Sequence, residues 1–192
     1  MRSSNDMTTG SPWQKILIFT LPMLLGNIAQ QLYNTVDSIV VGKYIGDNAL
    51  AAVGSCGPIV NMLLVLFIGI SAGASIMVSQ YFGAKAREEL SETIGTCVTL
   101  TAIVSLIIMI ATPPFIRILL KFLNTPAAIL DDCTGYLVIL MYGIAGLAYY
   151  NILSGILRGM GDSFSALGYL LIATVLNIIL DLLFVAFQQA LY

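Results

Sequence analysis

Five stretches of this chain stay apolar for longer than a soluble core requires: residues 16–42, 49–83, 93–112, 133–157 and 164–187. Each is about 18 residues or more, the length that crosses the hydrocarbon core of a bilayer. None shows the strict alternation of a half-buried strand. Backbone groups in lipid must be satisfied within their own segment, so the stretches predict helices. The pattern therefore gives an all-α membrane protein with five transmembrane helices.

The breaks between blocks carry local signals. Pro113-Pro114 ends the third block, as proline ends a helix. Arg158-Gly159-Met160-Gly161-Asp162 reads as a helix end, a glycine turn and a cap for the next helix. Residues 84–92 are a solvated charge run. Between residues 115 and 130, Ile116, Leu119, Leu120, Phe122 and Leu123 alternate with Arg117 and Lys121, a pattern that suits a short helix lying in the interface. Thr125-Pro126 then reads as an N-cap followed by a first helical residue. Pro22 is expected to kink the first helix.

Inside the blocks, the few polar residues are ordered. At 100° per residue, Gln30, Tyr33 and Asp37 fall within about 40° of Gly26, and Asn27 and Asn34 flank them. Leu25, Ile28, Leu32, Val36 and Ile39 occupy the opposite arc. Asp37 is the only formal charge between Lys15 and Lys43. The last block repeats the design, with Thr174, Asn177 and Asp181 spaced i, i+3, i+7 on one face. Asp37 lies six residues before Lys43 and Asp181 six before Phe187, each roughly 9 Å from the outer end of its helix at 1.5 Å per residue. Two helices running in the same direction thus place carboxylates at matching depth. An aspartate inside a span normally marks a pathway or a partner; the alternative is a residue near a helix end that reaches back to water.

Composition narrows the function classes. Of 192 residues 58% are hydrophobic and 9% charged, against about 25% charged in soluble domains. There is no histidine, and no P-loop or Ser/His/Asp set, so an enzyme is not expected. The Gly159-x-Gly161 pair follows a helix rather than a strand and does not read as a nucleotide site; nucleic acid is not an expected partner. Cys56, Cys97 and Cys133 match neither a disulfide framework nor a zinc spacing. The first block is too long for the core of a signal peptide and lacks a small-residue cleavage site. Gly69, Ala72, Gly73 and Ala74 in the second block, and Gly143, Gly146 and Ser154 in the fourth, are expected to let helices approach closely.

Loop charge sets an orientation. Arg2, Lys15, Lys85, Arg87 and Arg158 lie on one side, and Lys43, Arg117 and Lys121 on the other. The excess of basic residues favours a cytoplasmic N-terminal segment, residues 1–15. Five spans would leave the C-terminus outside.

Four stretches resemble, in order, the N-terminal lobe of the multidrug and toxic compound extrusion (MATE) family. They are "LPMLLGNIAQQLYNTVDSIVVGKYIGDNALAAVG" from Leu21, "SQYFGAKAREE" from Ser79, "NILSGILRGMGDS" from Asn151 and "NIILDLLFV" from Asn177. "QQLYN" with a following aspartate is similar to the prokaryotic, DNA-damage-inducible (DinF-like) branch. The resemblance implies a multi-pass protein of a prokaryotic inner (plasma) membrane, the N-terminal portion of a cation-coupled efflux antiporter for organic, cationic compounds. It implies that Asp37, Asn177 and Asp181 hold the coupling ion, a proton or a sodium ion, and that Gln30, Tyr33, Asn34 and Thr174 line the substrate cavity. No tightly bound cofactor is implied.

The family has about twelve helices in two lobes, and this chain ends after the fifth, residues 188–192 reading as a truncated terminus. Alternating access needs two halves that rock against each other. Transport is thus expected to require a second lobe or another copy, besides the lipid bilayer. The other readings are a lipid-linked flippase of the same superfamily and a non-transporting remnant or subunit. The acidic and neutral face of the first span suits cationic cargo better than lipid phosphates.

Overall fold

The computed structural model describes residues 11–44 and 47–190. Residues 1–10 of the expected cytoplasmic segment and the last two residues of the expected truncated terminus lie outside the described residues. Among the described residues the chain forms seven α-helices: α1 (Pro12–Tyr44), α2 (Asp47–Gly83), α3 (Arg87–Ala111), α4 (Pro113–Phe122), α5 (Leu130–Tyr142), α6 (Ile144–Gly159) and α7 (Ser163–Ala190). Four of them, α1, α2, α3 and α7, are long and apolar enough to cross a membrane. The pair α5–α6, bent by 50° at its junction, is long and apolar enough to cross only when the two helices are taken together. The expected single helix over 133–157 is thus two helices. Gly143 caps the first of them, its N–H bonded to the carbonyls of Ile139 and Leu140 at 3.2 and 3.1 Å. This glycine turns the chain rather than admitting a neighbour: a Cβ there would meet only the carbonyls of Leu140 and Ile139.

The chain divides into two compact units. The first joins α1 to α7, from opposite ends of the sequence. One stripe of α1 is withdrawn from the surface, including Phe19, Pro22, Met23, Gly26, Ala29, Tyr33, Asp37 and Val40. The spacing of three and four residues is that of one helical face. At Gly26 a Cβ would stand 3.3 Å from Leu170 Cδ2 and 3.6 Å from Leu167 Cδ1, so the missing side chain is what admits α7. The start of α7 is fixed by the sequence just before it. Gly161 takes a left-handed φ of 84°, and Asp162 Oδ1 accepts a hydrogen bond from the N–H of Ser165 at 2.9 Å. Asp162 Oδ2 also accepts one from Ser165 Oγ at 2.6 Å. This is an N-cap, satisfying a backbone donor that the helix leaves free.

The second unit, Ala51–Met160, holds most of α2 and all of α3 to α6. Its core gathers Cys56, Ile59, Leu63 and Phe67 of α2 around Ile116 and Leu120 of α4, Cys133, Leu137 and Met141 of α5, and Ile144 and Ala148 of α6. Helices α2 and α6 approach each other closely. A Cβ at Gly155 would lie 2.8 Å from the carbonyl oxygen of Ser71, and one at Gly159 2.7 Å from that of Ser75. Ser71 Oγ donates across the seam to the carbonyl of Asn151 at 2.6 Å. The glycines expected to do this, Gly69, Gly73 and Gly146, have nothing within 4 Å of an added Cβ. Of the other small residues named with them, Ala74 and Ser154 are buried and Ala72 is exposed. Gly155-x-x-x-Gly159 is the small-residue spacing of close-packed membrane helices, and it was the available signal.

Helix α4 buries Ile116 and Leu120 and leaves Ile118 and Phe122 exposed, as an interfacial helix does. It ends with Asn124 at φ 56°. The N–H groups of Asn124 and Thr125 return to the carbonyls of Lys121 and Leu120 at 3.0 and 3.1 Å, a C-terminal cap. Thr125-Pro126 therefore closes α4 instead of opening the next helix, which begins at Leu130 after a turn from Pro126 to Ile129.

Candidate functional site

The polar residues of α1 and α7 meet within the first unit. Tyr33 and Asp37 lie on the stripe of α1 that packs toward α7. Thr174, Asn177 and Asp181 are half-buried on α7, along the same face as Leu167 and Leu170. The two carboxylates are close enough for Asp181 to feel the charge of Asp37. This arises without any loop: one helical face on each partner carries the groups, and Gly26 brings the partners together.

Asn177 is the most informative member. Its Oδ1 is fully buried and accepts no hydrogen bond. A buried acceptor without a donor costs about 1–3 kcal/mol, so such atoms are rare unless something else meets them. Here the orphan oxygen stands one turn before Asp181 on the same helix. Two carboxylates and an amide oxygen form a set of hard acceptors with surplus negative charge. A proton or a small cation relieves both defects, repulsion between like charges and an unsatisfied oxygen. A monovalent cation suits the set better than a transition metal. The donors are all oxygens, the class that hard cations prefer, and no cluster of three or more His, Cys, Asp or Glu side chains exists among the described residues.

The remaining expected residues fall differently. Tyr33 is half-buried and engaged. Gln30 and Asn34 are exposed, and the Asn34 amide donates to Gln31 Oε1 along its own helix at 3.4 Å. Both belong to the polar side of α1 without joining the contact with α7. No signal in the sequence marked Asn177 as the unsatisfied group, because satisfaction depends on what the neighbouring helix lacks.

Comparison with known proteins agrees with this architecture. The family model MatE matches residues 22–183. The chain is 33% identical to the probable multidrug resistance protein YoeA of Bacillus subtilis (strain 168), over 88% of this chain and 37% of that protein. It is 30% identical to the probable multidrug resistance protein YpnP of the same organism, over 94% of this chain and 41% of that one. Among solved structures, an outward-facing multidrug resistance MATE family transporter of the MOP superfamily superposes with a TM-score of 0.84 at 30% identity, over 90% of this chain and 38% of that one. A MOP superfamily transporter from Pyrococcus furiosus, whose binding pocket is described as reversed in polarity, superposes with a TM-score of 0.87 at 28% identity, over 94% and 40% of the respective chains. The chain thus spans about two fifths of the length of the proteins it matches.

Proposed function

Because the chain belongs to the multidrug and toxic compound extrusion family, we propose that it forms the ion-coupling lobe of an efflux antiporter for organic cations. Members of this family are transporters rather than enzymes. The observation that carries the reading is the buried, unpartnered Oδ1 of Asn177, one turn from Asp181 on the face of α7 that packs against α1. Binding of a proton or sodium ion neutralises the pair, and its release restores the repulsion. The site thereby has two electrostatic states, as coupling requires. A cationic substrate competes for the same negative charge, so loading of one favours departure of the other. Substrate passage itself belongs to a cavity closed by a second lobe or a second copy, since alternating access needs two halves.

The test uses vesicles containing this chain together with its second half and a fluorescent organic cation. Efflux is expected to run on an imposed proton or sodium gradient and to stop when both are collapsed. Undiminished efflux with neither gradient present would overturn the coupling. The same chain expressed without a second half is expected to move no dye.

The orientation proposed is N-terminus inside a prokaryotic plasma membrane, from the loop charge bias. Cys133 is fully buried and cannot report this from the native sequence. In a cysteine-free background, Ala128→Cys, exposed after α4, is expected to react with an impermeant thiol reagent on intact cells. Glu89→Cys, exposed at the start of α3, is expected to react only after the cells are opened. The reverse pattern would invert the topology.

A further inference from the structure

The second unit holds a pair of thiols that ion coupling does not use. Cys56 of α2 and Cys133 of α5 are 77 residues apart in sequence, and both are fully buried in the apolar core. Cys56 Sγ points to the carbonyl oxygen of Cys133 at 3.8 Å. Cys133 Sγ points to that of Ala52, one turn before Cys56, at 3.6 Å, so each thiol lies against the backbone of the other's helix. The third cysteine, Cys97, sits apart on α3 against the cluster of Ala74, Val78, Ile152 and Ile156. Two thiols alone do not complete a metal shell, and no third metal-binding side chain joins them among the described residues.

We propose that Cys56 and Cys133 are a modification site for a small, uncharged two-electron oxidant of the hydroperoxide class, which closes them into a disulfide joining α2 to α5. One sulfur attacks the peroxide oxygen, the O–O bond breaks, and a sulfenic acid and a molecule of water or alcohol result. The second sulfur then attacks the sulfenic sulfur; the S–O bond breaks and water leaves with the thiol proton. Both sulfurs are oxidised by one electron each and the peroxide is reduced by two. Burial keeps charged reagents and bulky disulfides out, so exchange with soluble thiols is disfavoured. A neutral peroxide enters apolar protein, and the waiting neighbour captures the sulfenic acid before it oxidises further, since held reactants behave as if highly concentrated. The bond would enclose α3 and α4 in one covalent loop and restrict the unfolded chain.

The experiment takes membranes containing the full chain, and separately Cys97→Ser, treated with hydrogen peroxide and then catalase. The protein is denatured with an alkylating agent and weighed. Cys97→Ser is expected to lose both alkylatable thiols, to weigh two hydrogen atoms less than the reduced chain, and to recover both thiols with dithiothreitol. A peptide map of the unmutated chain is expected to show Cys56 joined to Cys133 and Cys97 free. Unfolding in detergent before peroxide is expected to abolish that preference and give mixed pairs. Two thiols still alkylated in the folded variant, separate sulfinic acids without a link, or the same mixed pairs from folded membranes would each overturn the proposal.

Discussion

Asp37→Asn is expected to abolish gradient-driven efflux in an exporter carrying this chain as its first lobe. The amide keeps the shape of the side chain and removes only the charge. Without that charge the coupling ion loses the counter-charge that holds it, so coupled transport should fall by at least about a hundredfold, roughly 2.7 kcal/mol. The lobe itself should survive. Asp37 is half-buried and feels Asp181, so neutralising it relieves repulsion, and the unfolding temperature should hold or rise. Asp181→Asn should fail likewise, and the double variant should be little worse than either single one, because groups acting as a unit are non-additive. Asn177→Ala removes one neutral oxygen and should raise the ion concentration for half-maximal efflux by about tenfold, the scale of one hydrogen bond. Efflux at the parental rate from Asp37→Asn under either gradient would make the carboxylate structural.

The second large effect falls on stability. Gly155→Val is expected to prevent folding of the second unit or lower its unfolding temperature strongly. Even the Cβ of alanine would lie 2.8 Å from the backbone oxygen of Ser71, and a backbone atom cannot swing aside as a side-chain tip can. Overpacking commonly costs about 1–3 kcal/mol, and here the hydrogen bond from Ser71 to Asn151 is displaced as well. Gly69→Ala and Gly146→Ala meet open space and replace a poor helix former, so each should be neutral or gain up to about 1 kcal/mol. Thermal unfolding in detergent separates the two groups. If Gly155→Val melts with the parent, the seam between α2 and α6 is not where the unit is held.

These two sites differ in how far the sequence revealed them. Asp37 and Asp181 were legible because helical periodicity is local: their faces and depths follow from spacing alone, and the structure puts both faces into one contact. The cap at Asp162 and the stop at Pro113 were legible for the same reason, whereas Thr125-Pro126, read as a helix start, closes α4. Asp162 reaches only to Ser165, three residues on, and Pro113 stops α3 whatever lies nearby. Gly155 was missed because its role is set by Ser71, 84 positions earlier, and nothing on α6 announces which helix arrives. Gly143 was taken for a packing glycine because the 50° turn between α5 and α6 leaves no interruption in hydropathy. Gln30 and Asn34 share the polar arc with Asp37, yet a helical wheel does not say how wide the contacting strip will be.

The pairing of α1 with α7 also has a consequence for synthesis. Roughly 120 residues of chain separate them, and at about 5–20 residues per second the ribosome takes on the order of ten seconds to produce these. Throughout that interval α1 is in the membrane, or held beside it, without the helix it pairs with. Asp37 then has neither Asp181 nor Asn177 nearby, and an ionised aspartate in mid-helix weighs about 2.5–3.5 kcal/mol against insertion, less near the membrane edge. The nascent first helix therefore depends on apolar residues such as Leu24, Leu25, Ile28 and Leu32 to stay in the bilayer until its companion emerges. The residue that gives the site its charge is, for those seconds, a handicap to the newborn chain.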